Sequence, residues 1–268
     1  MPPTKTRGKR CGACVSRGPH GVGPSVPSCK VVRLCDLYDI SLRDHFPKAS
    51  ESEYAALHQR IAVGHARARV RLVEARGAAR DLPSLAIQAH GLIFAGVYPF
   101  AGRHRGSGEA VHVGHAEHEF HGKPADHIDD CLCKLNQHAG PIDTWPKEQK
   151  AFAIRAARFL RRFFEIHPFA DGNGRTARLM VECAAALTGT LRIVPLQHGK
   201  PRHASRDQRE YLCALQEAHK RVGLTRAQYQ FEASGSVADG CARLARWWAK
   251  RIALLDLSGE TPPEQDED

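Results

Sequence analysis

The stretch "EIHPFADGNGRTARLM", residues 165–180, decides how this chain is read. A helix-like apolar pattern runs into it from about 146, and another runs out of it to about 187. The two must be joined by a tight turn, because Pro168 cannot continue the first helix comfortably. Phe169 is the apolar residue of that turn and is expected to anchor it in the core. Gly172-Asn173-Gly174 can take backbone angles closed to other residues. Successive amides in such a turn, feeding a helix that starts near Gly174, form a concavity suited to an anion.

The flanking residues suggest which anion. Arg175 and Arg178 are three apart, so they neighbour each other on the first helical turn. Positive charge there opposes the helix macrodipole unless an anion is bound as well. The planar guanidinium fork suits phosphate oxygens, and this many donors suit a polyphosphate. Asp171 would repel bound phosphates unless a cation intervened, and Mg²⁺ bridging a carboxylate and phosphate oxygens is the usual solution. His167, with an ordinary pKa of about 6.5, can take the proton of a hydroxyl that attacks the phosphate.

Outward from this stretch the chain reads as mostly helical. A Ser-Glu-rich start suits a capped helix over 50–75, and Asp81-Leu82-Pro83 opens another that runs to about 97. The period then changes. Glycines at 102, 106, 108 and 114, with Val111 and Val113 alternating around His112, predict a short hairpin or flap, the one β-like segment expected. Helices follow at about 125–136 and 146–166. In the second, Phe152, Ala156, Leu160, Phe163 and Phe164 form one face, and Arg155, Arg158, Arg161, Arg162 and Glu165 the other. Beyond the motif helix at 174–187, further helices are expected at about 206–220, 225–232 and 236–255.

Composition bounds the reading. The chain has 268 residues, 42% apolar and 25% charged, as in ordinary globular proteins. Residues 1–35 hold seven Lys and Arg and no acid, and residues 256–268 hold six acids and no base. The expected organisation is a disordered basic tail over 1–35, one helical domain over 36–255 with its core at about 80–220, and an acidic tail over 256–268. The net charge of +10 favours anionic partners. No apolar run nears the roughly 20 residues of a membrane span, and no secretory leader is evident, so the cytoplasm is the expected location, with specialised export left open. Nine cysteines without such a leader read as reduced thiols. Cys11, Cys14, Cys29 and Cys35 leave a zinc knot open, but the gap of five residues in the second pair exceeds the usual spacing.

Residues 167–178, HPFADGNGRTAR, resemble the motif of the Fic (filamentation induced by cAMP) domain family at every defined position: His-Pro-Phe-x-Asp/Glu-Gly-Asn-Gly-Arg-x-x-Arg. The likeness extends to "AGRHR" leading into "VHVG", and to Tyr211 and Leu215 after the motif, and it covers about 80–220. It implies a helical bundle with a β-hairpin flap over the active site. It also implies transfer of AMP from ATP, with Mg²⁺, to a Ser, Thr or Tyr hydroxyl of a target protein. His167 would then be the general base and Asp171 the Mg²⁺ ligand. Gly172, Asn173 and Gly174 would cradle the α- and β-phosphates. Arg175 and Arg178 would hold the distal end, with Thr176 and Ala177 between them. Val111, His112, Val113 and Gly114 would form the flap beside nucleotide and target, and Tyr211 would line the nucleotide pocket.

Other readings stay open at this point. The same fold can transfer another nucleotide or a phosphocholine group. A relative with lysine in place of the second glycine acts as a kinase, and Gly174 argues against that here. His112, His115, His118 and His121 recur every three residues, but strand faces alternate with a period of two, so a metal-binding role is disfavoured. A nucleic-acid binder would fit the charge, but no second basic module with a recognition-helix pattern is present. Many relatives are held off by a glutamate in a Ser/Thr-x-x-x-Glu-Gly/Asn motif. That motif is absent here: Val70 and Ala75 flank Glu74 where it would demand other residues. A small separate inhibitory partner is therefore an open expectation.

Overall fold

The computed structural model describes residues 42, 45–75, 81–107, 109, 112–113, 120–194, 206–220 and 241–255. Val111, Gly114, the four tail cysteines and the helix expected at 225–232 lie outside these residues, as do both tails.

Helix α1 (Glu51–Glu74) opens on a capping box. The Ser50 side chain accepts from the Glu53 amide, while the Glu53 carboxylate accepts from the Ser50 backbone. Helix α2 (Leu82–Phe94) is capped by Asp81, with proline in its first turn as the sequence requires. Strands β1 (His112–Val113) and β2 (Phe120–His121) pair antiparallel, His112 opposite His121, which is the expected hairpin. A 3₁₀ turn (Ala125–His127) leads into α3 (Ile128–Ala139), and another (Ile142–Thr144) precedes α4 (Gln149–Ile166). Helix α5 (Asn173–Thr188) is followed by β3 (Leu191–Ile193), α6 (Arg206–Lys220), α7 (Ala242–Ala249) and β4 (Ile252–Leu254).

The chain is thus mostly helical, with two small antiparallel sheets, β1–β2 and β3–β4. The second sheet corrects the expectation of a helix over 236–255. That helix stops at Ala249, and Ile252 turns back to pair with Ile193. Three residues are too few to show a period of two, so the strand was masked by the helical pattern before it.

Helices α4 and α5 form the centre. Phe152, Phe159, Leu160 and Phe163 of α4 are fully buried, and so are Leu179, Met180, Val181 and Cys183 of α5. Each large apolar side chain so buried contributes about 1.5–3 kcal/mol. Helices α1 and α2 pack on one side of α5, while α3 and α7 pack on α4. Enclosure on several sides also reaches the polar face of α4. Arg161 and Glu165, on the face opposite the apolar one, are buried as well. Glu165 keeps its charge compensated through Arg162 at 2.9 Å and Lys123 at 3.3 Å. This packing fixes both ends of the loop 167–172 that joins the two central helices.

Candidate active site

Helix α4 ends at His167, whose backbone takes the left-handed region with φ 52°. A non-glycine residue there carries strain, so its surroundings must hold it. Three contacts do so. The His167 amide donates to the Phe163 carbonyl at 2.9 Å. Arg105 Nε donates to the His167 carbonyl at 2.7 Å. The Arg105 backbone amide donates to the Pro168 carbonyl at 2.9 Å. The same guanidinium also donates to the carbonyls of Ile166, Lys123 and Glu109. One cation thereby satisfies the carbonyl end of α4 and ties to it both stems of the β1–β2 hairpin.

The imidazole of His167 is buried. Its Nδ1 lies 3.2 Å from the Phe164 carbonyl. A carbonyl only accepts, so Nδ1 carries the proton and Nε2 holds the basic lone pair. Burial lowers the pKa to about 4, with Arg105 adding to the effect and the Phe164 carbonyl and Asp171 opposing it. The ring is therefore neutral at pH 7, in the state a general base needs.

The turn after it is closed from within. Asn173 Nδ2 donates to the Phe169 carbonyl at 2.8 Å, and the Phe169 amide donates to Asn173 Oδ1 at 2.9 Å. The Asn173 side chain is thus committed to the turn, so it can face a phosphate only through its backbone amide. Phe169 is fully buried, as expected, and stacks on His90 with ring centroids 3.9 Å apart. His90 is itself buried and locked as one tautomer. Its Nδ1 accepts from the Gly102 amide at 2.9 Å, so Nε2–H donates to the Asp171 carbonyl at 3.0 Å. Burial lowers its pKa to about 4.

Gly172 caps α5 with φ 78°. A Cβ there would overlap the Phe94 ring, so both the angle and the space demand glycine. No side chain caps this helix. The Thr176 amide and hydroxyl both donate to the Gly172 carbonyl at 3.0 Å, closing the first turn. The amides of Asn173, Gly174 and Arg175 precede the first intrahelical bond and form the expected nest. Thr176 and Ala177 are fully buried and act as packing under it.

The charged groups surround the nest. The Arg175 guanidinium sits 5.9 Å from the Phe94 ring centroid. Arg178 is nearly enclosed and lies 5.6 Å from the centroid of Tyr211. Tyr211 is fully buried, so it reaches the site through Arg178 rather than by presenting its own ring as a lining. The Asp171 carboxylate accepts from the Tyr98 hydroxyl at 2.6 Å and has His45 Nε2 at 3.7 Å. It fits Mg²⁺, which takes one or two carboxylates and fills its remaining positions with water and phosphate oxygens. Among the described residues, no group of three or more His, Cys, Asp or Glu could hold a metal alone. Strand residues His112 and Val113 lie in the hairpin, while His115 and His118 fall outside the described residues.

Sequence reasoning named Arg105 only as part of a segment, and it missed His90 and Tyr98. His90 left one signal, a polar residue at a buried position of an apolar helix. Tyr98 left none in its own neighbourhood, because its partner lies 73 residues away.

Residues 82–185 match the family model described as the Fic/DOC family. Among solved structures, the chain is similar to a Fic domain-containing signaling protein from Bacteroides thetaiotaomicron, at 20% identity and a TM-score of 0.55. That likeness covers 78% of this chain and 74% of the other, and it bears on the fold. A Fic family protein from Desulfovibrio desulfuricans G20 aligns at 16% identity over 84% of this chain and 63% of the other, with a TM-score of 0.43. No curated protein matches the chain. No helix among the described residues is long and apolar enough to cross a membrane. The turn, the nest and both arginines all fall inside residues 82–185, the part of the chain that matches the Fic/DOC family, whose members generally transfer nucleotidyl or phosphoryl groups onto proteins.

Proposed function

We propose that this chain is a protein adenylyltransferase, moving AMP from ATP to a Ser, Thr or Tyr hydroxyl of a target protein. One observation carries the reading. A neutral imidazole with its lone pair on Nε2 ends α4, and six residues later a helix begins with no side-chain cap. The amides of Asn173, Gly174 and Arg175 and the guanidinium groups of Arg175 and Arg178 would hold the phosphates of ATP. The target hydroxyl oxygen attacks the α-phosphorus, the bond to the β-phosphate breaks, and pyrophosphate leaves. The hydroxyl proton goes to His167 Nε2. Arg105 holds that ring's backbone in place, and His90 does the same for the carbonyl of Asp171.

Asp171 would hold Mg²⁺, which when bound offsets the negative charge of the phosphates. The hairpin that contains His112 and Val113 would take an extended target segment by strand addition, with Val111 and Gly114 in the same stretch. Its stems are tied to the base through Arg105 and through the Lys123 amide, which donates to the Ile166 carbonyl at 3.2 Å. Control would come from a separate small partner, since Glu74 is exposed at the end of α1 and lacks the flanking residues of an internal brake.

The test is transfer from ATP labelled at the α or the γ phosphate, with Mg²⁺ and a cell lysate as the source of targets. Label passing to protein from the α position alone is expected. Label from the γ position, or none from either, would overturn the assignment.

A further inference from the structure

Helices α6 and α7 and strand β4 lie beyond the residues matched by the family model, yet they reach the site through one stack of side chains. Tyr211 of α6 presents its ring to Arg178, whose guanidinium carbon is 5.6 Å from the ring centroid. Behind it the ring of Trp247 on α7 packs at 4.7 Å between centroids, tilted by 48°. The Arg251 guanidinium covers Trp247 at 4.5 Å. Asp207 ends the stack, paired with Arg251 and accepting from Trp247 Nε1 at 3.3 Å. Asp207 and Tyr211 are four apart on α6, and Trp247 and Arg251 are four apart across the end of α7. Two adjacent side-chain rows therefore interlock.

The stack answers a physical problem at Arg178. Its guanidinium is nearly removed from water but must keep its charge to meet a phosphate. An aromatic face attracts a cation without donating or accepting a hydrogen bond, so it leaves the N–H groups to other partners. A rigid ring on one side also restricts the many rotamers of an arginine before any ligand arrives. Glu182 lies close enough for the Arg178 charge to lower its pKa, although burial raises it more.

We propose that the Tyr211–Trp247 stack is a positioning device for Arg178, which makes α6 and α7 part of the site that grips the distal phosphates of ATP. The inference rests on the adenylyltransferase reading and adds to it a set of residues beyond those matched by the family model. Tyr211 is then a positioning residue, acting through Arg178.

The experiment uses the purified full chain with two probes, α,β-methylene-ATP and AMP. The first keeps the triphosphate but cannot release pyrophosphate, and the second lacks the distal phosphates. Position 211 is varied at constant shape by phenylalanine and by progressively fluorinated phenylalanines, which drain the negative face of the ring. Tyr211→Leu removes that face altogether. Triphosphate affinity is expected to survive Tyr211→Phe, to fall stepwise with each fluorine, and to drop about tenfold at the end of the series. AMP affinity and the melting temperature of the fluorinated proteins should stay level. A merely structural ring would move neither affinity along the isosteric series, or would move both together, and either result overturns the proposal. Wild-type protein that binds the triphosphate no more tightly than AMP would overturn the adenylyltransferase reading as well. A wild-type preference that survives every fluorine sinks only the positioning role.

Discussion

Helices α1 and α5 solve the same problem in opposite ways. Each begins with backbone amides that no earlier turn can satisfy. Helix α1 closes them from within: Ser50 and Glu53 bond reciprocally, and Glu51 and Glu53 set negative charge against the positive end of the dipole. Helix α5 begins on a glycine without a side-chain cap, has no acid in its first turn, and places Arg175 there instead. By the rules that stabilise α1, the start of α5 is built wrongly. The cost is tolerated because the surrounding loop is held by Arg105, His90 and Asn173 rather than by the helix itself. The contrast separates a terminus built for stability from one left open to a ligand.

The comparison can be broken most directly at the base beside α5. His167→Ala should lower transfer by about 10²–10⁴-fold while ATP binding persists. Single-turnover rates and a nucleotide titration on the same protein would measure both. Wild-type turnover in this variant would remove the catalytic assignment.

Acid should expose the loop's hold on its two histidines. His90 and His167 are neutral in the folded state because burial lowers each pKa to about 4, against about 6.5 when unfolded. The unfolded chain therefore takes up protons first as pH falls. Stability is fully present above about 6.5 and declines between about 6.5 and about 4, by up to about 3 kcal/mol per imidazole. Urea midpoints at pH 7 and pH 5 would register this, and the slope should flatten in His167→Ala. An equal slope in both proteins would count against the buried neutral state.

Making α5 resemble α1 should move stability and function in opposite directions. Arg175→Glu replaces a charge that opposes the dipole with one that favours it, so the free protein should gain about 0.3–1 kcal/mol. ATP affinity should fall, because a donor to phosphate becomes a repelling carboxylate. Calorimetric melting and ATP titration on this variant give the two signs. A loss in both would mean that Arg175 supports the fold instead.

The matching change in α1 should touch stability alone. Ser50→Ala breaks the capping box and should cost about 1 kcal/mol in urea denaturation, with turnover unchanged. At the far end of the same helix, the smallest effect is expected. Glu74→Gly in the purified chain should leave transfer close to wild type, and a tenfold rise would instead identify an internal brake.

Sequence alone determined what depends on neighbours along the chain. Helical periods, the caps at Ser50 and Asp81, the hairpin at 112–121 and the whole run from His167 to Arg178 are local patterns, readable in a window of a few turns. Local reading failed where the partner is distant. It extended a helix through Ile252–Leu254, because the pairing with Leu191–Ile193 leaves no trace in three residues. It put Arg161 and Glu165 on the polar face of α4 but could not show their burial, because only the packing of other elements around α4 buries them. It read the amides of Gly172-Asn173-Gly174 as an anion nest but did not show that the Asn173 side chain closes the turn on Phe169. Tyr211 was read as pocket lining, and tertiary packing puts it behind Arg178. The protonation states of His90 and His167 were likewise decided by tertiary structure, since desolvation comes from elements brought together across long separations in the chain.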